Sequence, residues 1–131
     1  METASLASIT NINVKINKES AWDKQSFTET VAGDMALAES IINSFIEQTD
    51  KIIAEAKNAI KTCNFTEIRA ASHSLCGSSG TISATKLAEY ANRLNRSAKA
   101  KDIASCNFDL NEFEHEYEVF KSLSKDYLEK K

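Results

Sequence analysis

His73 opens the segment His73-Ser74-Leu75-Cys76-Gly77-Ser78-Ser79-Gly80, which holds two of the chain's three glycines. The surrounding pattern is helical, and a Gly inside a helix costs about 1 kcal/mol relative to Ala. Gly77 follows His73 by four residues, so the two share a helix face one turn apart. An imidazole beside bare backbone is one that another protein's main chain can approach closely. A neutral imidazole nitrogen is also a nucleophile near pH 7. It can accept a phosphoryl group from an aspartyl phosphate and pass it to another aspartate. The bond formed is labile, so the carrier ring has to be exposed. Phosphoryl transfer depends on positioning and cation assistance more than on covalent chemistry from the protein.

The other chemical candidates read as structural. Gly77 to Gly80 has neither the strand, the spacing nor the Lys of a nucleotide-binding loop. His115 sits away from the Phe113/Tyr117 stripe, without glycines or cations around it, and reads as a solvated surface histidine. There is no HxxxH and no carboxylate paired with a histidine at ligand spacing, so no metal or cofactor is expected. Cys63, Cys76 and Cys106 are odd in number, widely spaced and form no CxxC pair. That favours reduced thiols and a cytoplasmic location. Cys76, close to the histidine face, reads as a small, partly buried residue. The C-terminal residues Lys125, Glu129, Lys130 and Lys131 read as a solvated helix end.

A chain of 131 residues with no Pro and a net charge of -3 fits one mainly helical domain. It needs no metal or disulfide to hold its core. No basic block interleaves with aromatics, so nucleic acid is not an expected partner. No apolar run approaches the ~18 residues of a membrane span. The N-terminus lacks the blocks of a secretory signal.

Residues 1–20 are polar and rich in Asn, Ser and Thr, and read as a flexible leader or linker, with Ile12, Val14 and Ile16 alternating. Residues 21–131 form the bundle. A short helix over Trp22 to Val31 ends at Gly33 and caps one end of it. Asp34 is an N-cap candidate for a helix of ~25 residues, whose stripe is Leu37, Ile41, Phe45, Ile52, Ala56 and Ile60, widened by Ile42 and Ile53. Asn64 and Glu67 fit a capping box. The helix they start buries Ile68, Ala71, Ser72, Leu75, Ser78 and Ser79. His73 falls on its opposite face, beside Thr66, Arg69, Ala70, Gly77 and Gly80. Ser83 is the cap candidate for a helix with a Leu87, Tyr90, Ala91, Leu94 and Ala98 stripe. A polar loop over about Ala100 to Asn107 follows. Asp109 and Glu112 fit a second capping box, starting a last helix that turns Leu110, Phe113, Tyr117, Phe120 and Tyr127 inward. The expected fold is all-α: an antiparallel up-down-up-down four-helix bundle with a short extra N-terminal helix.

The block from His73 to Gly80 resembles the histidine phosphotransfer (HPt) domain family, whose pattern is His-x-Leu-Lys-Gly-Ser, then a turn and a Leu-bearing helix. It is met by His73, Leu75, Gly77, Ser78 and Leu87, and the likeness extends over about residues 22 to 128. The resemblance implies that His73 is phosphorylated on its ring nitrogen farthest from the backbone, and that Gly77 is the clearance for a receiver domain. It implies that Asn95 steadies the ring through the other nitrogen, with Lys99 one turn later as a basic neighbour. Cys76 stands where the family carries Lys, so one cation is missing; Arg69 or Lys99 substitutes. Ser83 stands where a turn Gly is usual.

The function implied is a phosphorelay intermediate. It accepts a phosphoryl group on His73 from a receiver-domain aspartyl phosphate and passes it to a response regulator aspartate. It is a carrier without its own kinase or ATP site. The partners are receiver domains of response regulators and of a hybrid sensor kinase, with no direct membrane contact and a monomeric carrier. Mg2+ is expected only in the partner. The chain is either free-standing or a module of a sensor kinase tethered at the inner membrane. The competing reading, supported by Cys76 and Ser83, is a non-transferring bundle that binds and regulates a receiver or kinase.

Overall fold

The computed structural model describes residues 22–129, and all its regular structure is helical. The order is α1 (Lys24–Thr30), α2 (Met35–Lys61), α3 (Phe65–Thr81), α4 (Thr85–Lys99) and α5 (Ile103–Glu129). The leader, Lys130 and Lys131 lie outside the described residues. The four long helices run up and down around one axis. Helix α3 packs on α2 and α4, and α5 packs on the same two, so α3 lies diagonally across from α5.

One turn design joins the long helices. In residues 62–64, 82–84 and 100–102, the first residue ends a helix, the second is left-handed and the third caps the next helix. The left-handed residues are Cys63, Ser83 and Lys101, none of them Gly. Each turn closes with the six-residue bond of a Schellman motif: Asn64 N–H to Ala59 O, Ala84 N–H to Ser79 O, and Asp102 N–H to Ser97 O. Such compact turns force neighbouring helices antiparallel.

The core forms two halves along the bundle. One gathers Phe45, Leu75, Leu87, Phe113 and Phe120 under the N-terminal segment. The other gathers Ala56, Ile60, Ile68, Leu94, Cys106 and Leu110. Trp22, Phe27 and Val31 close the first half, as the spacing predicts. The Trp22 ring meets Phe27, Phe120 and Tyr127 at centroid distances of 5.4, 5.2 and 5.1 Å. No helix among the described residues is long and apolar enough to cross a membrane.

Four local expectations are corrected. Helix α5 begins at Ile103 rather than near Asp109, because Asp102 accepts the Ser105 N–H and hydroxyl. Ile103 and Cys106 simply continue the apolar stripe. Asp109 is inside the helix, only 8% exposed, and accepts the Ser97 hydroxyl. Ser83 caps nothing: it is the left-handed residue of its turn, and Ala84 holds the N-cap position without a side-chain bond. Asn64 does cap α3 through Glu67 N–H at 3.1 Å. Its own N–H is already taken by Ala59 O, so the reciprocal half of the box is not needed. Leu37 is 45% exposed, because the α2 core line enters the helix at Ala38 before passing through Ile42, Phe45, Ile53, Ala56 and Ile60.

Candidate functional site

Helix α3 separates its two faces sharply. Ile68, Ala71, Ser72, Leu75 and Ser79 are buried. Thr66, Arg69, Ala70, His73, Gly77 and Gly80 are all exposed. The histidine therefore stands on the water face, on the helix that Asn64 caps, one turn from Arg69, Ala70 and Gly77 and two turns from Thr66 and Gly80.

Gly77 and Gly80 have ordinary helical backbone, and a Cβ added at either meets no atom within 4 Å. The fold itself makes no demand for Gly at these positions. Each weakens the helix with no compensating contact inside the chain. The clearance they leave faces outward.

His73 lines an open hollow of about 320 Å3 with Thr66, Arg69, Ala70 and Asn95. Asn95 reaches it from α4. The packing of α3 on α4 thus brings together three of the residues singled out in the sequence: Arg69, His73 and Asn95. Lys99 is exposed one turn beyond Asn95 and is not part of the lining. Cys76 is half-buried and its Sγ lies 3.5 Å from Asn92 Oδ1, away from the hollow. Ser78 is half-buried, donates to Ser74 O at 3.0 Å, and borders a separate groove of about 240 Å3 with Ile41, Phe45 and Ile82. His73 has no hydrogen-bond partner among the described residues, and Asn95 bonds to Ser72 rather than to the ring. His115 is exposed on α5. Among the described residues no group of three or more His, Cys, Asp or Glu is placed to hold a metal.

Sequence reasoning missed Ser72 as a site residue. It reads as one more small core residue, and its contact with Asn95 depends on how α3 and α4 pack.

Charge is segregated along the chain. The α3–α4 hairpin carries Arg69, Lys86, Arg93, Arg96, Lys99 and Lys101 against Glu67 and Glu89. Helix α5 carries the opposite excess, with Asp109, Glu112, Glu114, Glu116, Glu118, Asp126 and Glu129 against Lys121 and Lys125. The histidine thus lies on the net-cationic hairpin of an acidic chain.

The structure thus presents an exposed histidine on one helix of an antiparallel bundle, beside glycines that serve no internal contact. The chain matches the Hpt domain over residues 40–122 and belongs to that family. The same fold is seen in histidine-containing phosphotransfer protein B (HptB) from Pseudomonas aeruginosa PAO1. The two superpose with a TM-score of 0.78 at 17% identity, over 85% of this chain and 96% of that one. No curated protein matches the chain in sequence. Family membership makes it a phosphoryl carrier of the phosphorelay type rather than a kinase.

Proposed function

We propose that this domain is a phosphorelay intermediate that carries the phosphoryl group on His73 Nε2 between receiver-domain aspartates. The Nε2 lone pair attacks the phosphorus of an aspartyl phosphate. The P–O bond breaks, and the carboxylate leaves with the bonding pair. The reverse step delivers the group to a response regulator's aspartate. The metal and the acidic cluster are the partner's, and this chain supplies the nucleophile, its positioning and part of the charge compensation.

The observation that carries this reading is His73 on an open helix face beside Gly77, where a side chain would touch nothing. Clearance without an internal purpose is clearance for a partner. The cationic α3–α4 hairpin suits the acidic active site of a receiver and speeds encounter at low salt. We place the domain in the cytoplasm, as a monomer, either free-standing or as a module of a hybrid sensor kinase.

The test is incubation with a phosphorylated receiver. The chain should acquire acid-labile, alkali-stable phosphate, and His73→Gln should abolish it. Label persisting in His73→Gln overturns the assignment. Cys76, engaged with Asn92 instead of bringing a cation to the hollow, is the one feature that favours a docking module without transfer. Receiver binding that survives His73→Ala, with no labelling of the wild type, identifies that second function.

A further inference from the structure

Helix α5 has an outward face, on the side away from buried Leu110, Phe113 and Tyr117. Ala104, Phe108, Asn111, His115, Val119 and Ser122 follow one another along it at three- and four-residue steps, and all are exposed. None is Asp, Glu, Lys or Arg, although the helix is otherwise densely charged. Phe108 is 61% exposed and Val119 37%. With Leu37 on α2, they are the large apolar side chains that the described residues leave open to water. A helix face meant only for water carries its charges along the middle. This one carries an aromatic ring and a valine there.

The face is complementary to itself. Two copies of α5 laid antiparallel, with a two-fold axis level with the Phe113–Glu114 peptide bond, set Phe108 against the partner's Val119 on each side of the axis. These two apolar residues alone fix that register. The same register brings His115 opposite the partner's Glu112. It also brings Lys101, in the turn before the helix, opposite the partner's Asp126. Lys101, Glu112 and Asp126 make no ion pair among the described residues. Two other acids of the helix are already neutralised within the chain, Glu114 by Lys57 at 2.9 Å and Glu118 by Lys121 at 3.0 Å. The acidic excess of α5 therefore does not forbid the contact. We propose that the outward face of α5 is where a second copy of this chain docks, with Phe108 and Val119 at the centre and the opposite charges at the rim.

One helix face buries less than the ~1,600 Å2 of a standard interface, so the pair is reversible, with a dissociation constant on the order of 0.1 mM. The carrier is a single chain when dilute, and it pairs where it is abundant or held at high local concentration. Helix α3 lies diagonally across from α5, so His73 stays open to a receiver in the pair. The pairing is independent of the phosphorelay reading, because it needs no phosphate and no chemistry at His73.

The test is sedimentation equilibrium on the full chain from about 10 μM to about 1 mM. A reductant keeps the exposed Cys63 from forming a bridge between copies. The wild type should pass from single chains to pairs within that range, and Phe108→Glu should stay single throughout. Phe108 lies mostly in water, so that variant should keep the wild-type urea midpoint. Lys101→Glu sets like charges together at both ends and should weaken pairing about tenfold, as should Asp126→Lys. Mixed in equal amounts, these two variants should recover it, because both ends of the mixed pair again join opposite charges. Wild-type chains that stay single at about 1 mM overturn the inference and leave the face to a different protein. Pairing that Phe108→Glu does not disturb lies elsewhere on the molecule and overturns it as well. Charge variants that pair no better mixed than alone overturn the antiparallel register.

Discussion

Trp22 donates its indole N–H to the carbonyl of Ile82 at 2.9 Å, tying the N-terminal segment to the turn that ends the histidine helix. Asp23 N–H reinforces the tie through Ser83 O at 3.0 Å. This turn is the one whose N-cap, Ala84, offers no side-chain bond to α4. The N-terminal segment supplies the fixing that a polar cap provides elsewhere.

Trp22→Phe keeps an aromatic ring but leaves the Ile82 carbonyl unpaired. The expected cost is about 1–3 kcal/mol, the penalty of a buried polar group without its partner. A lower urea midpoint at unchanged slope would report it. An unchanged midpoint would show that the turn holds without the indole.

Gly77 separates stability from transfer. Gly77→Ala should stabilise the domain by about 1 kcal/mol, since the helix gains propensity and the new Cβ meets nothing. Gly77→Gln should also fold, yet slow transfer from a receiver by about tenfold or more, because displacement of even ~1 Å at the reacting centre is that costly. Wild-type transfer rates in Gly77→Gln would contradict the clearance argument. Stopped-flow or quench measurements on both variants decide it.

The left-handed turn residues Cys63 and Lys101 have φ of 52° and 57°. A side chain is strained there and Gly is not. Cys63→Gly and Lys101→Gly should each stabilise by about 0.5–1 kcal/mol, after the extra freedom Gly gains in the unfolded chain. Thermal melts check this, and a fall in Tm for both would refute it.

Stability should decline in alkali. Burial, with Asp109 and Asp102 nearby, pushes the Cys106 thiol from 9.0 up to about 11. Burial and the Asp50 hydrogen bond push the Tyr117 phenol well above its usual 10.0. A raised folded-state pKa contributes stability that is full below the unfolded value and lost as pH rises toward the folded one. Urea midpoints should therefore fall from about pH 9 upward. Cys106→Ala should remove the part of that slope between 9 and 11 while leaving the tyrosine part above 10. At the acid end, hydrogen bonds from Ser105 and Ser26 hold Asp102 and Asp23 below 3.8, so their caps weaken as pH falls through that range.

The long helices were legible because their stripes are strong: Ile68, Ala71 and Leu75 bury one face of α3 and leave the His73 face wet, as 3.6-residue periodicity requires. Helix starts were less legible. Asp109 followed by Glu112 has the residue types of a capping box, but the pattern cannot say that Asp102 already holds that office and that Asp109 is committed to Ser97 across the bundle. Ser83 failed for a related reason. Its residue type suits a cap, whereas its φ of 64° is dictated by closing the α3 end. Arg69 and Gly77 lie on the histidine's own helix, so spacing alone placed them. Asn95 came only through the family likeness, and Ser72 not at all, because their pairing depends on the approach of two helices far apart in sequence.

One ring in one hollow has a consequence for how signals queue. Under the proposed function, donor and acceptor would share one landing place, so they would take turns, and no ternary assembly would hand the group straight across. Flux would then follow a ping-pong order, each chain would store a single phosphate, and an abundant receiver lingering unphosphorylated at His73 would be a brake on every other receiver waiting for it.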